Sequence, residues 1–156
     1  MADAEEILHD AADRLVREAL DDADNLRALL RAVLGPDDAA GFDTTKRRDV
    51  SRDFLMPNLR GKERDFICEV PYRLADGTEE WAWVCVMIEH QTRSDPWMPF
   101  RMLTYAVFYW DKCFRDWEKT PAAERGKFKF PPIVPIVFHA SSGRWKGAKT
   151  MQELLG

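Results

Sequence analysis

Residues 65–91 read DFICEVPYRLADGTEEWAWVCVMIEHQ, and this stretch carries the clearest structural pattern of the chain. Residues 65–74 have a two-residue period, which is typical of a β-strand. Residues 75–78 supply turn chemistry, and a second run from residue 80 to about residue 90 is apolar on both faces. The stretch therefore predicts a β-hairpin whose second strand lies centrally in a sheet and is covered on both sides.

The residues before the hairpin predict helices. Residues 4–20 and 24–34 carry apolar side chains at three- and four-residue steps, and Gly35-Pro36 ends the second helix. Residues 37–64 mix charges with glycine and proline and lack a sustained period. They are predicted as a loop with one short strand near Phe54-Leu55.

The residues after the hairpin predict one more helix and one more strand. Asp95-Pro96 is a helix-start signal, because aspartate caps free amides and proline is tolerated at the first helical position. This helix should run to about Trp117, and residues 133–138 predict a further strand. The order of elements predicts an α/β or α+β fold around a mixed central sheet flanked by helices. A chain of this length predicts one domain, 1–156, with a helical N-terminal part, 1–36.

Composition favours a cytoplasmic protein. The three cysteines, Cys68, Cys85 and Cys113, lie in apolar stretches without CxxC spacing, which indicates reduced thiols rather than disulfides or zinc ligands. The acidic N-terminus does not resemble a secretion signal. No apolar stretch is long enough to span a membrane, so we expect no membrane partner.

The net charge of −4 is distributed unevenly along the chain. Residues 1–43 carry −8, residues 44–64 carry +4, and residues 65–156 are balanced. The positive segment could be an ordinary solvated loop, or it could face phosphates, which need cations for counterion release. If the chain acts on DNA, we predict that residues 46–64 help to form the DNA-facing rim, because they are the only long segment with a clear positive excess. Its candidate DNA-binding residues are Lys46, Arg47, Arg48, Arg52, Lys62 and Arg64.

The apolar second strand ends abruptly in Glu89, His90 and Gln91. Glu89 and Gln91 project to one face because side chains alternate along a strand, and Asp65 lies at the outer end of the other strand. If they converge, two carboxylates, one amide and the backbone carbonyl of His90 would suit Mg²⁺, which takes oxygen ligands. Such a metal can polarise a phosphodiester and lower the pKa of its bound water. The alternative is a strand that simply reaches solvent.

Convergence depends on the register of the hairpin. An even loop centred on residues 76–77 would place Asp65 opposite Ile88, on the face away from Glu89. A three-residue loop ending in a left-handed Gly77 shifts the pairing by one residue, so that Asp65 lies diagonal to Glu89. The hydrophobic pattern does not choose between these registers, because both faces of the second strand are apolar. We predict the odd loop with Gly77 at positive φ, since only that register joins the two carboxylates.

Three segments resemble a known family. Residues 88–105 read IEHQTRSDPWMPFRMLTY, residues 132–138 read PIVPIVF, and residues 143–145 read GRW. These runs resemble the signatures of the Rpn recombination-promoting nucleases, also classed as transposases, within the PD-(D/E)XK nuclease superfamily. His9-Asp10 and Glu63-Arg64-Asp65 also fit, so the resemblance covers nearly the whole chain.

The resemblance implies a DNA endonuclease that depends on Mg²⁺ or another divalent cation such as Mn²⁺ or Ca²⁺. It implies Asp65 and Glu89 as metal ligands within a nuclease core over residues 65–138, and Gln91 where most of the superfamily has lysine. The chain departs from the family at Asp13-Arg14, where family members usually have Phe-Lys. Members are also typically longer, so an end at Gly156 predicts a shortened copy.

Two functional hypotheses follow. In the first, the chain is a nuclease, and Arg101 and Tyr105, one helical turn apart, support or line the same cleft. In the second, it is a DNA-binding or assembly module that keeps the nuclease fold but cleaves poorly or not at all, because glutamine lacks the charge of lysine. A homodimer is compatible with both hypotheses. A purely structural protein would leave the paired carboxylates unexplained.

Overall fold

The computed structural model of the protein describes residues 4–51, 65–89, 95–139 and 143–155. Within these ranges the chain forms helices and strands that we number in chain order. The helices are α1 (Ala4–Asp21), α2 (Ala23–Leu34), α3 (Pro36–Ala39), α4 (Met98–Lys119) and α5 (Gln152–Leu155). The strands are β1 (Arg48–Asp49), β2 (Phe66–Arg73), β3 (Glu79–Glu89) and β4 (Ile133–His139), and a 3-10 turn spans Thr44–Lys46.

The four strands of the described residues form one mixed sheet in the order β1-β2-β3-β4. The β1–β2 and β2–β3 pairs are antiparallel, whereas β3 and β4 are parallel. The connection between the parallel strands contains α4, as expected because parallel neighbours need a long crossover. The predicted mixed α/β fold is confirmed. The central position of β3 is confirmed as well, since it lies between two other strands.

One face of the sheet packs against the N-terminal helices. Even-numbered positions of β2 and β3, such as Cys68 and Val84, are fully buried on this face, together with Leu26 and Leu30 of α2. Burial of a leucine or valine side chain contributes about 1.5–3 kcal/mol each. This apolar cluster is therefore what attaches the helical N-terminal part to the sheet.

The opposite face packs against α4. Odd-numbered positions such as Trp83 and Met87 lie here with Tyr105 and Tyr109 of the helix, and all four are almost fully buried. Trp83 and Tyr109 stack with ring centroids 4.6 Å apart and an interplanar angle of 6°. Residues 82–88 of β3 are buried along their whole length. The predicted two-sided cover of this strand is thus confirmed.

The ends of α2 follow local rules. The Asp22 carboxylate accepts hydrogen bonds from the amides of Asp24 and Asn25, each at 3.0 Å, and so caps the helix start. At the other end Gly35 has a φ of 88°, and its amide donates to the carbonyl of Arg31. Glycine adopts this left-handed conformation without a steric cost, which ends the helix as predicted.

The prediction that residues 37–64 form a loop was wrong for the described part, 37–51. The helical turn α3, the 3-10 turn and β1 all lie there. Each has four residues or fewer, so none is long enough to produce a readable period. β1 exists only through its pairing with β2, where Arg48 lies opposite Glu69. The strand predicted near Phe54-Leu55 lies outside the described residues.

The helix α4 begins later than predicted. Residues 96–97 form a turn, and the first helical residue is Met98. Asp95 does not cap the helix as its N-cap residue; its Oδ1 accepts the amide of Trp97 at 2.9 Å. The helix ends at Lys119, two residues beyond the predicted end. The aspartate thus satisfies an amide before the helix, and Pro99 rather than Pro96 lies in the first helical turn.

Candidate active site at the ends of β2 and β3

The β2–β3 turn sets the register on which the candidate site depends. The amide of Leu74 donates a hydrogen bond to the carbonyl of Thr78 at 2.8 Å, and the amide of Gly77 donates one to the carbonyl of Leu74 at 2.9 Å. Residues 75–77 therefore form a three-residue loop between Leu74 and Thr78. Gly77 has a φ of 84°, which a residue with a Cβ adopts only with strain. The predicted odd loop with a left-handed Gly77 is confirmed.

The register itself is confirmed by the pairing of Phe66 with Val86 and of Ile67 with Cys85. One step further, position 65 lies across from Met87. The alternative register, with Asp65 opposite Ile88, is wrong. The turn chemistry resolved what the hydrophobic pattern left open.

Asp65 directly precedes β2 and is 2% exposed. Its Oδ1 accepts the backbone amide of Ile88 at 3.3 Å, and its Oδ2 accepts the hydroxyl of Tyr105 at 3.2 Å. Burial, and then the adjacent Asp65 charge, raise the pKa of Tyr105 above its usual range. The phenol keeps its proton at neutral pH and donates a hydrogen bond to the carboxylate. Asp65 is held on the face of the sheet that α4 covers.

Glu89 is the last residue of β3, and its backbone pairs with that of His139 in β4. It follows Met87 by two positions. Strand alternation predicts that the Glu89 side chain lies on the same face as Asp65, and this remains a prediction. His90 and Gln91, the other two members of the predicted site, lie outside the described residues.

Arg101 and Tyr105 were predicted to support or line the site. The structure brings Tyr105 to Asp65, whereas the Arg101 Nη1 forms an ion pair with Asp95 Oδ2 at 2.8 Å. The side chains of Arg101 and Asp95 are 13% and 20% exposed, so this ion pair is partly buried and ties α4 to the segment before it. Tyr105 thus contacts the predicted metal ligand directly, and Arg101 positions the start of the helix.

An apolar cavity of about 290 Å³ lies beside this end of the sheet. Met98 and Met102 of α4 line it on one side, with Val137, His139 and Trp145 on the other. The His139 and Trp145 rings meet edge to face with centroids 5.3 Å apart. Because His139 pairs with Glu89, the cavity adjoins the candidate site.

The predicted metal ligands are only partly described. Among the described residues, no group of three or more His, Cys, Asp or Glu side chains is arranged to hold a metal ion. Of the predicted ligands, the His90 carbonyl lies outside these residues, and Asp65 is the one whose side chain the structure describes. The Asp65 carboxylate is a hard oxygen donor of the kind that Mg²⁺ prefers. The chemistry of this donor therefore fits the predicted ion.

The described basic residues of the predicted DNA-facing rim form ion pairs within the protein. Lys46 pairs with Asp43 at 3.2 Å, and Arg47 pairs with Asp21 and Asp49 at 2.9 and 2.8 Å. Arg48 pairs with Glu69. The remaining candidates, Arg52, Lys62 and Arg64, lie outside the described residues.

Glu69 of β2 is another buried carboxylate, 7% exposed, that was not predicted as a functional residue. It accepts the hydroxyl of Tyr109 at 2.5 Å and the Nε–H of Arg48. A signal was present: Glu69 occupies the same strand face as Asp65, and Tyr109 lies one helical turn after Tyr105. The repeated acid and tyrosine spacing would have indicated two parallel contacts between the sheet and α4.

These features define a mixed α/β fold with a buried acid where β2 begins and β3 ends. Residues 9–156 match the model of the family described as "Putative transposase, YhgA-like", and the chain belongs to this family. It is similar to the "Recombination-promoting nuclease RpnD" of Escherichia coli O157:H7, with 25% identity over 130 residues. The alignment covers 83% of this chain and 45% of RpnD, so the chain spans about half the length of that relative. The predicted family resemblance is confirmed.

No solved structure matches the chain. None of the helices in the described part of the chain combines the length and the hydrophobicity needed to cross a membrane.

Proposed function

We propose that this chain carries a divalent-metal-dependent DNA endonuclease domain of the PD-(D/E)XK type, with Asp65 and Glu89 as metal ligands and Gln91 beside them. The observation that carries the proposal is the β2–β3 register. This register puts the buried Asp65 across from Met87, and Met87 precedes Glu89 by two residues on β3. The nuclease name of the similar RpnD supports the same reaction class.

The Asp65 carboxylate is suited to holding a cation. An ionised carboxylate supplies the hard oxygen ligands that divalent cations take, and hydrogen bonds from the Ile88 amide and the Tyr105 hydroxyl hold this one in place. A divalent ion bound there would polarise the phosphodiester and lower the pKa of its bound water. The two donors fix the direction of the carboxylate before any ion binds, which lowers the reorganisation that binding requires.

The other site residues have separate roles in this proposal. Tyr105 keeps its proton and orients Asp65. Gln91 can orient the attacking water or a phosphate oxygen through its amide, but it does not carry the positive charge of the lysine that is common at this position. We therefore expect slower cleavage than a lysine at this position would support.

Nicking of supercoiled plasmid in Mg²⁺ tests the proposal. Glu89→Ala should abolish nicking while DNA binding persists or improves, because a negative charge is removed. Gln91→Ala should only slow the reaction. Gln91→Lys should retain or raise the rate, since an ammonium stabilises the charge that develops on phosphorus oxygens. Equal nicking by the wild type and Glu89→Ala would assign the activity elsewhere.

A second candidate function is a DNA-binding or assembly module that does not cleave. The burial of Asp65 and its bonds to Ile88 and Tyr105 favour it, because a purely structural carboxylate would be satisfied in the same way. Calorimetric titration with Mn²⁺ separates the two functions. A binding signal that Asp65→Asn removes supports the nuclease, and DNA binding without any metal signal supports the module.

A further inference from the structure

A groove of about 420 Å³ lies toward the other end of β3 from the candidate active site. Glu69 of this groove and Asp65 of the site are four residues apart, which is about 13 Å along an extended strand, and Trp81 lies further away along β3. The groove is therefore separate from the site proposed above. Its charged and aromatic lining includes Arg48, Glu69, Glu80, Trp81, Lys127 and Lys129.

Two tryptophans of α4 hold one wall of the groove in place. The indole N–H of Trp117 donates to the carbonyl of Gly126 at 2.8 Å, and that of Trp110 donates to the carbonyl of Pro131 at 3.0 Å. The chain between these two carbonyls is therefore anchored to the helix at both ends. These two contacts hold the backbone from which the side chains of residues 127–130 project.

Within that segment, phenylalanines and lysines alternate. Phe128 packs on Phe114 of α4 with ring centroids 5.2 Å apart, and Phe130 packs on Trp110 at 5.4 Å. Lys127 and Lys129 line the groove instead. Because the two phenyl rings pack on α4 and the lysines alternate with them, the lysine side chains lie on the side of the groove.

Arg48 supplies a third cation from the opposite wall. Its guanidinium lies 3.8 Å from the centroid of the Trp81 ring, and its Nε–H donates to Glu69. Glu69 is in turn held by the Tyr109 hydroxyl. The Arg48 side chain is 54% exposed, and a guanidinium fixed through Nε still has its terminal N–H groups to offer a phosphate.

We propose that this groove binds the sugar-phosphate backbone of DNA at a point remote from the candidate active site. The choice of DNA as ligand rests on the proposed function; the groove itself rests on its own residues. Three cations face two carboxylates there, and the weaker of the ion pairs, Lys129 with Glu80, is 3.6 Å long. Contacts of this kind hold DNA without reading its sequence, because ammonium and guanidinium groups bind phosphate oxygens.

The salt dependence of DNA binding tests the groove. Fluorescence anisotropy with a labelled duplex in EDTA should show that Lys127→Ala/Lys129→Ala lowers the slope of log affinity against log salt by about 2, since each lost phosphate contact removes about 0.9. Affinity near 0.1 M salt should fall about tenfold or more. No DNA binding by the wild type, or an unchanged slope in the variant, would overturn the proposal.

A matched control removes two lysines elsewhere. Lys112 and Lys119 of α4 both pair with Asp116 and do not line the groove. Lys112→Ala/Lys119→Ala should leave the slope within about 0.5 of the wild-type value, because these lysines make no phosphate contact in the proposal. A slope change equal to that of the groove variant would mean that only net charge matters, and the groove would be excluded.

Glu80→Gln tests the same groove in the opposite direction. Removal of its charge releases Lys129 from the ion pair, so DNA affinity should rise about threefold at low salt. Glu124→Gln removes an equal charge from an exposed turn outside the groove and should change the affinity less. Equal effects of the two variants would count against a specific groove.

These measurements need no cleavage, so the groove and the nuclease can fail separately. Plasmid nicking by the wild type together with unchanged DNA affinity in Lys127→Ala/Lys129→Ala overturns the groove and leaves the nuclease standing. Loss of affinity in that variant, with no nicking by the wild type in Mg²⁺ or Mn²⁺, supports the groove and overturns the nuclease.

Discussion

Asp65 and Glu69 make the same contact with α4 at two places, and they differ in what else they bind. Asp65 accepts a hydrogen bond from the hydroxyl of Tyr105, and Glu69 accepts one from the hydroxyl of Tyr109. The second oxygen of Glu69 accepts a hydrogen bond from the guanidinium of Arg48 on β1, whereas that of Asp65 accepts the backbone amide of Ile88. One acid links neighbouring elements through an ion pair, and the other is oriented at a strand end.

The difference shows how similar residues can serve different purposes. A buried carboxylate is costly unless it is hydrogen-bonded or paired with a cation. Glu69 has a protein cation, so its charge is neutralised and its contacts join β1, β2 and α4. Asp65 lies beside the end of β3, where Glu89 follows Met87. In the proposed function a metal ion would neutralise the charges of Asp65 and Glu89.

The largest expected effect separates the two acids by their kinetics. Asp65→Asn should lower the Mg²⁺-dependent nicking rate at saturating DNA by at least about 100-fold, because a charged ligand is lost at the reacting centre. Glu69→Gln should act through DNA affinity and stability, since it removes a negative charge from the groove and breaks the ion pair with Arg48. Nicking rates against DNA concentration, with thermal melts, measure both.

This comparison breaks down if the two variants behave alike. Equal losses of the maximal rate would mean that both acids act only through the packing of α4. A lower rate in Glu69→Gln alone would move the catalytic centre to the groove.

An intermediate effect concerns the basic residues of the predicted DNA-facing rim. Lys46→Ala/Arg47→Ala/Arg48→Ala should weaken DNA binding and lower the slope of log affinity against log salt by about 1. Only Arg48 lines the groove, whereas Lys46 pairs with Asp43 and Arg47 pairs with Asp21. The triple variant should also destabilise the fold by about 2–3 kcal/mol, mainly through the unpaired Glu69. Anisotropy and denaturant titrations measure the two effects.

The size of the change in salt slope shows how many of these three basic residues contact phosphate. A slope change near 3 would mean that all three residues contact phosphate. An unchanged slope would assign the segment to ordinary surface and would leave Arg48 with a structural role.

The smallest effect is a dependence of stability on alkaline pH. Burial, followed by the neighbouring acids, raises the pKa of Tyr105 and of Tyr109 in the folded protein above the usual value of 10.0. Above about pH 10 the unfolded chain releases these protons while the native state keeps them, so stability is constant below that pH and falls as pH rises. Each tyrosine should contribute up to about 1.4 kcal/mol per pH unit.

Tyr105→Phe and Tyr109→Phe test this by urea denaturation at several alkaline pH values. Each variant should show a shallower loss of stability above about pH 10 than the wild type, and both should be less stable at neutral pH by about 1–3 kcal/mol, because a buried carboxylate loses a donor. A wild-type slope in either variant would mean that its tyrosine titrates normally in the native state.

Local sequence patterns were enough to predict the elements whose rules act over a few residues. The two-residue period of β2, the doubly apolar β3 and the helical spacing before Gly35 were all readable, because burial on one or both faces imposes a period on the side chains. The hydrophobic pattern of β3 left two registers open, and the odd turn at Gly77 was predicted because only that register joins Asp65 and Glu89. The left-handed glycine then set the pairing as predicted.

Contacts between side chains of different elements could not be predicted and were found only in the folded structure. The ties of Asp65 to Tyr105 and of Glu69 to Tyr109 depend on how α4 crosses the sheet, and no local pattern carries that placement. The strand β1 is two residues long and exists through its pairing with β2, so its Arg48 could not be assigned to Glu69 in advance. Periodicity shows which face of an element is buried, but the partner on that face is set by the packing of the whole chain.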